Sequence, residues 1–90
     1  LDWYDIRTTL EVIGMVEKKI HISDFEEAKL LVNHTMGCSF QIDLVSDWYV
    51  VDAKSIMSIF SLDMNKPILL RADCEQDNPL FDKIRPLVME

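Results

Sequence analysis

The feature that most constrains the fold is a pair of short segments of alternating polarity, residues 39–45 and 49–53, with three residues between them. Alternation with a period of two predicts strands that bury one face. The inward positions of the first segment are expected to be Phe40, Ile42 and Leu44, and one side of the second segment is expected to carry Tyr49, Val51 and Ala53. Two strands joined by so few residues form an antiparallel hairpin.

A helix is predicted ahead of this hairpin, over residues 24–36. Asp24 and Glu27 have the spacing of a capping box, in which side chains satisfy free backbone N–H groups of the first turn. Gly37 favours a helix end at that point, because glycine adopts the left-handed conformation readily. The apolar face of this helix is predicted to comprise Phe25, Ala28, Leu31, Val32 and Met36.

Four further segments complete the order of elements. Residues 17–23 and 67–73 are predicted as strands, and residues 54–62 as a short helix. Asn78 is placed to cap a last helix, which Pro86 is expected to kink or end early. The order β-α-β-β-α-β-α predicts an α+β fold of two layers, with a four-stranded antiparallel sheet and three helices on one face.

The first 14 residues stand apart from this pattern. Apolar residues recur there at helical spacing, whereas the branched side chains of Thr8 and Thr9 disfavour a helix. Gly14 is a natural end for such a segment. We therefore expect residues 1–14 to be an N-terminal appendage of helical character and residues 15–90 to form the domain.

Length and charge narrow the class of protein. Ninety residues suffice for one domain, and none of the apolar runs approaches the roughly 18 residues of a membrane span. The 16 acidic and 9 basic residues give a net charge of −7, which repels nucleic-acid backbones. We therefore expect neither a nucleic-acid partner nor a membrane span.

The chemistry-bearing residues point to no enzyme. Cys38 and Cys74 lack CxxC spacing and are expected to be reduced thiols of a cytoplasmic protein, although a single disulfide between them stays open. The chain contains no P-loop, GxGxxG, GxSxG or HExxH motif. We expect no metal or other cofactor.

The segment VVDAKSIMSIFSLDMNKPILLRAD, residues 50–73, resembles the regulatory-site region of HPr, the histidine-containing phosphocarrier of the bacterial sugar phosphotransferase system. The run 53–57, with Leu62 and the closing Ala72-Asp73, carries the resemblance most specifically. It extends more loosely from Ile20 to about Val88. The resemblance implies an open-faced sandwich and a non-catalytic cytoplasmic protein that acts through protein partners.

The carrier site of that family is altered in this sequence. The resemblance implies a phosphorylated histidine just before the first helix and an arginine two residues on. Asp24 and Glu26 fall on or near those places, and the loop before them is shortened. A carboxylate cannot replace a neutral imidazole nucleophile, and Asp24, Glu26 and Glu27 would repel a phosphoryl group. We expect the phosphocarrier chemistry to be absent.

The second site of the family is retained. Ser55 matches the serine that HPr kinase/phosphorylase modifies in Gram-positive bacteria, and a helix N-terminus favours a phosphate there. Serine is also a common helix cap, so both roles stay open. The resemblance implies that Ile56, Met57 and Phe60 are exposed and dock partners, with Lys54 as a nearby cation; the alternative is that the core takes up these apolar residues.

Three functional hypotheses follow. The leading one is a regulatory or adaptor protein similar to catabolite-repression HPr and switched by phosphorylation of Ser55. Its expected partners are HPr kinase/phosphorylase, a transcription regulator or a phosphotransferase enzyme. The second is a phosphocarrier that uses His21 or His34, and the third is an interaction module with neither site.

Trp48 replaces the family's usual turn glycine and is expected to be partly exposed. The oligomeric state stays open.

Overall fold

The computed structural model describes residues 14–89, so most of the predicted appendage lies outside the described residues. Gly14, at the start of the described chain, has φ of +84°. Glycine adopts this conformation without steric cost because it lacks a Cβ atom. Gly14 therefore suits the entry to the first strand.

The described elements follow the predicted order. They are β1 (Val16–Ile20), α1 (Phe25–Thr35), β2 (Ile42–Ser46), β3 (Tyr49–Asp52), α2 (Ile56–Phe60), β4 (Ile68–Ala72) and α3 (Pro79–Lys83), followed by a 3₁₀ turn at Arg85–Leu87. The strands form one antiparallel sheet in the order β1-β4-β2-β3. This arrangement confirms the predicted α+β class and places β4 at the centre of the sheet.

The hydrophobic core lies between the sheet and the three helices. The sheet contributes fully buried residues such as Ile20, Leu44 and Leu70, and the helices contribute Leu31 and Ile59. Each fully buried aliphatic side chain of this size stabilises the fold by about 1.5–3 kcal/mol relative to an exposed one. The inward positions of β1, β2 and β4 therefore anchor the helical layer to the sheet.

Helix α1 begins and ends within one residue of its predicted bounds, with Asp24 as N-cap and Met36 as C-cap. The predicted role of Gly37 is wrong, because among the described residues only Gly14 and Asp47 have positive φ. The chain instead leaves α1 through a right-handed Met36, and the Cys38 N–H donates to the Thr35 carbonyl at 3.0 Å.

The burial predicted for the apolar face of α1 is confirmed in the middle of the helix and is wrong at its two ends. Ala28 and Val32 are buried, whereas Phe25 and Met36 are 54% and 65% exposed. The buried face is completed by Thr35, whose hydroxyl donates to the Ala53 carbonyl at 2.8 Å. The end positions of this short helix therefore project beyond the layer that covers the sheet.

The β2–β3 hairpin turns through Asp47 and Trp48, and Asp47 adopts φ of +52°. Aspartate tolerates this left-handed conformation better than most residues do. Trp48 is 95% exposed and Tyr49 is 64% exposed. Tyr49 lies opposite buried Ser46 and so shares one side of β3 with Val51 and Ala53, as predicted. It stays exposed because β3 is an edge strand, and burial grows only toward its other end, where Val51 is half-buried and Ala53 is buried.

Helices α2 and α3 are shorter than the apolar pattern alone suggests. In the turn before α2, the N–H groups of Lys54 and Ser55 bond to Asp52 at 2.8 and 3.2 Å, so the helix begins only at Ile56. Asn78 caps α3 as predicted, accepting from the Leu80 N–H at 2.9 Å. The early end expected from Pro86 is confirmed, since α3 ends at Lys83 and the proline lies in the 3₁₀ turn.

Candidate functional site

Two carboxylates at the N-terminus of α1 accept hydrogen bonds from nearby backbone N–H groups. Asp24 Oδ1 accepts from the Glu27 N–H at 2.9 Å, and Glu27 Oε1 accepts from the Ser23 N–H at 2.7 Å and from the Ser23 hydroxyl. The predicted capping box is therefore present, although Glu27 reaches Ser23 and not the N–H of Asp24. Two carboxylates occupy the positive end of the helix, where an anion would otherwise bind.

The same helix end carries three acidic residues within four positions, Asp24, Glu26 and Glu27. Asp24 and Glu26 are exposed, at the places expected for the histidine and arginine of the resembling family. The three negative charges repel one another and any further anion, so this surface disfavours binding of a phosphate or phosphoryl group. The first turn of α1 is consequently suited to a cationic or apolar contact.

The two histidines lie in different environments. The sequence pattern assigned His21 to a strand over 17–23, but β1 ends at Ile20. His21 is exposed and lies in the connection to α1, three residues before Asp24, with its backbone N–H bonded to the Leu87 carbonyl at 2.8 Å. His34 is half-buried in the last turn of α1. His21 therefore lies in the connection between β1 and α1, and not on the strand to which the sequence pattern assigned it.

Ser55 is the N-cap of α2. Its backbone is extended, and its Oγ accepts from the Ser58 N–H at 3.3 Å. The side chain is half-buried, and the first turn of α2 contains no acidic residue. The capping role is therefore directly visible, while phosphorylation of this hydroxyl stays a prediction.

The side chain of Lys54, expected as a cation near Ser55, is partly engaged by the backbone. Its ammonium group donates to the Cys38 carbonyl at 2.9 Å, just beyond the C-terminus of α1. This position also complements the negative end of the helix dipole. Lys54 therefore connects α1 to the start of α2 and has one of its three donors already engaged.

Three exposed apolar side chains form one surface, which we name the α1–α2 patch: Phe25, Met57 and Phe60. The Phe25 and Phe60 rings are stacked, with centroids 5.6 Å apart and planes 21° from parallel. Met57 is 75% exposed and Phe60 is 45% exposed. The expected exposure of Met57 and Phe60 is confirmed, whereas Ile56 is only half-exposed and packs against the core.

The inward face of α2 explains this exposure. Ile59 is fully buried and Leu62 is 6% exposed, so they fill the available space beneath α2. Phe25 was missed as a member of the patch because its spacing matched the buried face of α1. Its position directly after the N-cap, beside Glu26 and Glu27, is the local signal for a solvent-facing ring.

The remaining reactive groups build no second centre. Cys38 and Cys74 are free and half-buried, and burial is the main cause that raises the pKa of Cys74 to about 11. Across residues 14–89 there is no group of three or more His, Cys, Asp or Glu residues suited to a metal ion. In the same range, no helix has the length and apolar character needed to cross a membrane.

The architecture is that of a small open-faced α+β sandwich with an antiparallel sheet. Within that class, solved structures of HPr phosphocarrier proteins share its fold. The phosphocarrier protein HPr of Bacillus anthracis str. Ames superposes with a TM-score of 0.64 at 23% identity, over 83% of this chain and 98% of that one. The histidine-containing phosphocarrier protein of Mycoplasma gives 0.64 at 16% identity, over 86% and 100%. No protein-family model and no curated protein sequence matches the chain.

Proposed function

We propose that this chain is an HPr-like regulatory or adaptor protein of the sugar phosphotransferase system, without a histidine phosphocarrier activity of its own. The observation that carries the proposal is the self-capped N-terminus of α1. Asp24 accepts from the Glu27 N–H of the first turn, and Glu27 accepts from the Ser23 N–H just before the helix. Glu26 stands where the family resemblance expects an arginine. The HPr-like fold supports protein partners of the kind that phosphocarriers meet.

Electrostatics and geometry act in the same direction at this helix end. A phosphoryl acceptor needs free donors and positive charge around it, because both stabilise the transferred group. Here the Ser23 and Glu27 N–H groups are bonded to carboxylates at 2.7 and 2.9 Å. An incoming phosphoryl group would have to displace these carboxylates and also overcome their charge.

The α1–α2 patch is the proposed docking surface. Its stacked rings are held against each other, so a partner would not need to order them on binding. Aromatic and methionine side chains are also enriched in the centres of protein interfaces. Because Glu26 and Glu27 lie beside Phe25, the matching partner surface is apolar at its centre and basic at its rim.

Phosphorylation of Ser55 is the proposed switch of this surface. A phosphate there would add about 1.5 to 2 negative charges two residues before Met57. The first turn of α2 contains no acidic residue that would repel it. With the Lys54 ammonium engaged by the Cys38 carbonyl, arginines of a partner would be its main counter-charge. Phosphorylation would thus favour a basic partner over an acidic one.

A second candidate function rests on the position of His21. This exposed histidine lies in the connection between β1 and α1, where the family resemblance places the carrier residue. A phosphocarrier reaction at His21 would need a phosphoryl group to approach within three residues of Asp24. The acidic first turn argues against this candidate, and a transfer assay separates the two.

The transfer assay uses phosphoenolpyruvate, enzyme I and the full chain, with ordinary HPr as the positive control. We expect no mass increase under alkaline conditions that preserve phosphohistidine. A stoichiometric, acid-labile label that disappears in His21→Ala would overturn the proposal in favour of the second candidate. His34→Ala serves as the matched control for the half-buried histidine.

The switch is tested separately with HPr kinase/phosphorylase and ATP. We expect one phosphate on the parent chain and none on Ser55→Ala. Ser61→Ala is the matched control, because Ser61 is an exposed serine at the other end of α2. If a kinase that is active on ordinary HPr leaves the parent unmodified, the chain is an unswitched interaction module.

A further inference from the structure

The two edge strands of the sheet, β1 and β3, differ in whether another described segment pairs with their outer edge. Along β1, the segment after α3 covers the C-terminal end of the edge: Val88 bridges Ile20, the His21 N–H donates to the Leu87 carbonyl at 2.8 Å, and the Met89 N–H donates to the Lys19 carbonyl at 2.9 Å. At the other edge, β3 pairs only with β2 among the described strands. Within residues 14–89, the outer edge of β3 therefore has no neighbouring segment paired with it, whereas that of β1 is partly covered.

The open edge presents backbone groups at Val50 and Asp52. The Ala53 N–H donates to the Ile42 carbonyl at 3.0 Å, and bonded pairs alternate along an antiparallel ladder. Tyr49 and Val51 consequently bond toward β2, whereas the N–H and C=O of Val50 and the N–H of Asp52 point away from it. The Asp52 carbonyl already accepts from the Ser55 N–H at 3.2 Å.

The side chains along this edge are unusually apolar for one that is not covered. Trp48, Tyr49 and Val50 are 95%, 64% and 60% exposed. Edge strands usually carry lysine, proline or a bulge that discourages pairing with another chain, and β3 has neither a lysine nor a proline. Its composition thus favours pairing with a further strand.

We propose that β3 of one copy pairs with β3 of a second copy, antiparallel and about a two-fold axis at Val50. In this register the two Val50 residues exchange both of their outward hydrogen bonds, and each Asp52 N–H donates to the Trp48 carbonyl of the other copy. Tyr49 then lies opposite Val51 of the other copy, an aromatic and β-branched pair of the type that stabilises antiparallel sheets.

A second copy fits this edge for reasons of charge and closure. Asp47 is already paired with Lys66 at 2.6 Å, and the register places Asp52 opposite Trp48, so it brings no two carboxylates face to face. Because a two-fold axis uses the β3 edge of both copies, the pairing closes at the dimer. The segment that covers the C-terminal end of β1 disfavours further growth at the other edge.

The area of the edge sets the strength of the dimer. Trp48, Tyr49 and Val50 together expose roughly 450 Å² per copy, given that a large aromatic side chain buries about 150–250 Å². The pair would bury at most about 900 Å², less than the roughly 1,200 Å² of stable interfaces. We therefore expect a weak, reversible dimer and look for it at chain concentrations up to about 1 mM.

Sedimentation velocity of the full chain over a dilution series tests the proposal. We expect dimerisation that strengthens with added salt, because salt screens the repulsion between two copies of charge −7. Val50→Lys should weaken it at least tenfold, whereas Met57→Lys, the same change at an exposed apolar residue of the α1–α2 patch, should not. A monomer at 1 mM, or a dimer that only Met57→Lys disrupts, would overturn the proposal without bearing on the transfer assay.

A cysteine pair tests the register. In a bonded antiparallel pair the Cα atoms lie about 5.5 Å apart, within reach of a disulfide, so Val50→Cys should oxidise to a cross-linked dimer. Tyr49→Cys is the matched control, since its diagonal separation of about 7–8 Å is too long. Peptide mapping distinguishes these bonds from any at Cys38 or Cys74. Equal cross-linking of both variants, or none for Val50→Cys, would refute the stated register.

Discussion

Replacing Ile59 by alanine tests which face of α2 the fold uses. Ile59 is fully buried, whereas Met57, two positions away on the same helix, is 75% exposed. The Ile59→Ala change removes three carbon atoms, a loss of about 2.4 kcal/mol at about 0.8 kcal/mol each. The cavity left behind raises the total to about 3–4 kcal/mol. Met57→Ala, the matched control, should change the free energy of unfolding by less than about 0.5 kcal/mol.

Urea and thermal unfolding measured by far-UV circular dichroism give both values. Helix signal reports directly on the fold, whereas the fluorescence of Trp48, which is 95% exposed in the folded chain, should change little on unfolding. We expect Ile59→Ala to lower Tm by at least about 12 °C. A loss above about 1 kcal/mol for Met57→Ala would mean that Met57 belongs to the core, and the α1–α2 patch would lose a member.

The remaining predictions concern a cap, a buried hydrogen bond and a thiol. Asp24→Ala should lower the free energy of unfolding by about 1 kcal/mol through loss of the N-cap, whereas Glu26→Ala, which removes no cap, should leave it within about 0.5 kcal/mol in the same urea titrations. Thr35→Val should cost about 1–2 kcal/mol, since it leaves the Ala53 carbonyl without its 2.8 Å donor; an unchanged denaturation midpoint would show that the bond contributes nothing. Cys74 should alkylate at pH 8 at least tenfold more slowly in the folded chain than in urea, because its pKa is raised to about 11. That pKa exceeds its unfolded value, so the thiol's contribution to stability should be fully present below about pH 9 and lost as the pH rises toward 11. A free energy of unfolding that does not change across that pH range would contradict the shift.

Local patterns in the sequence predicted the elements of this fold well. Asp24, Ser55 and Asn78 were each assigned a position at a helix start, and each caps a helix. Caps and alternation are local, since they depend on residues within one or two turns. Burial was harder to predict, since it depends on an element's surroundings: Phe25 at the end of α1 and Tyr49 on an edge strand are exposed because no neighbouring element covers them.

In the candidate site too, local features were predictable from the sequence, whereas contacts between distant elements were not. The capping box of Asp24 and Glu27 followed from spacing alone, and it is present. The stack of Phe25 on Phe60 did not, because it joins residues 35 positions apart on two helices whose relative placement depends on the whole sheet. The end of β1 at Ile20 was also hidden from the pattern, since Ile22 is buried although it lies outside the strand.

The strand order has a consequence for the synthesis of this chain. The central strand β4 joins β1 to β2, and its first pair links Val16 to Ala72. While a ribosome is still adding the residues before Ile68, the growing chain can form α1 and the β2–β3 hairpin but cannot connect β1 to either of them. Stable tertiary structure must therefore wait until β4 has emerged, and no nascent fragment that ends before β4 can contain this sheet.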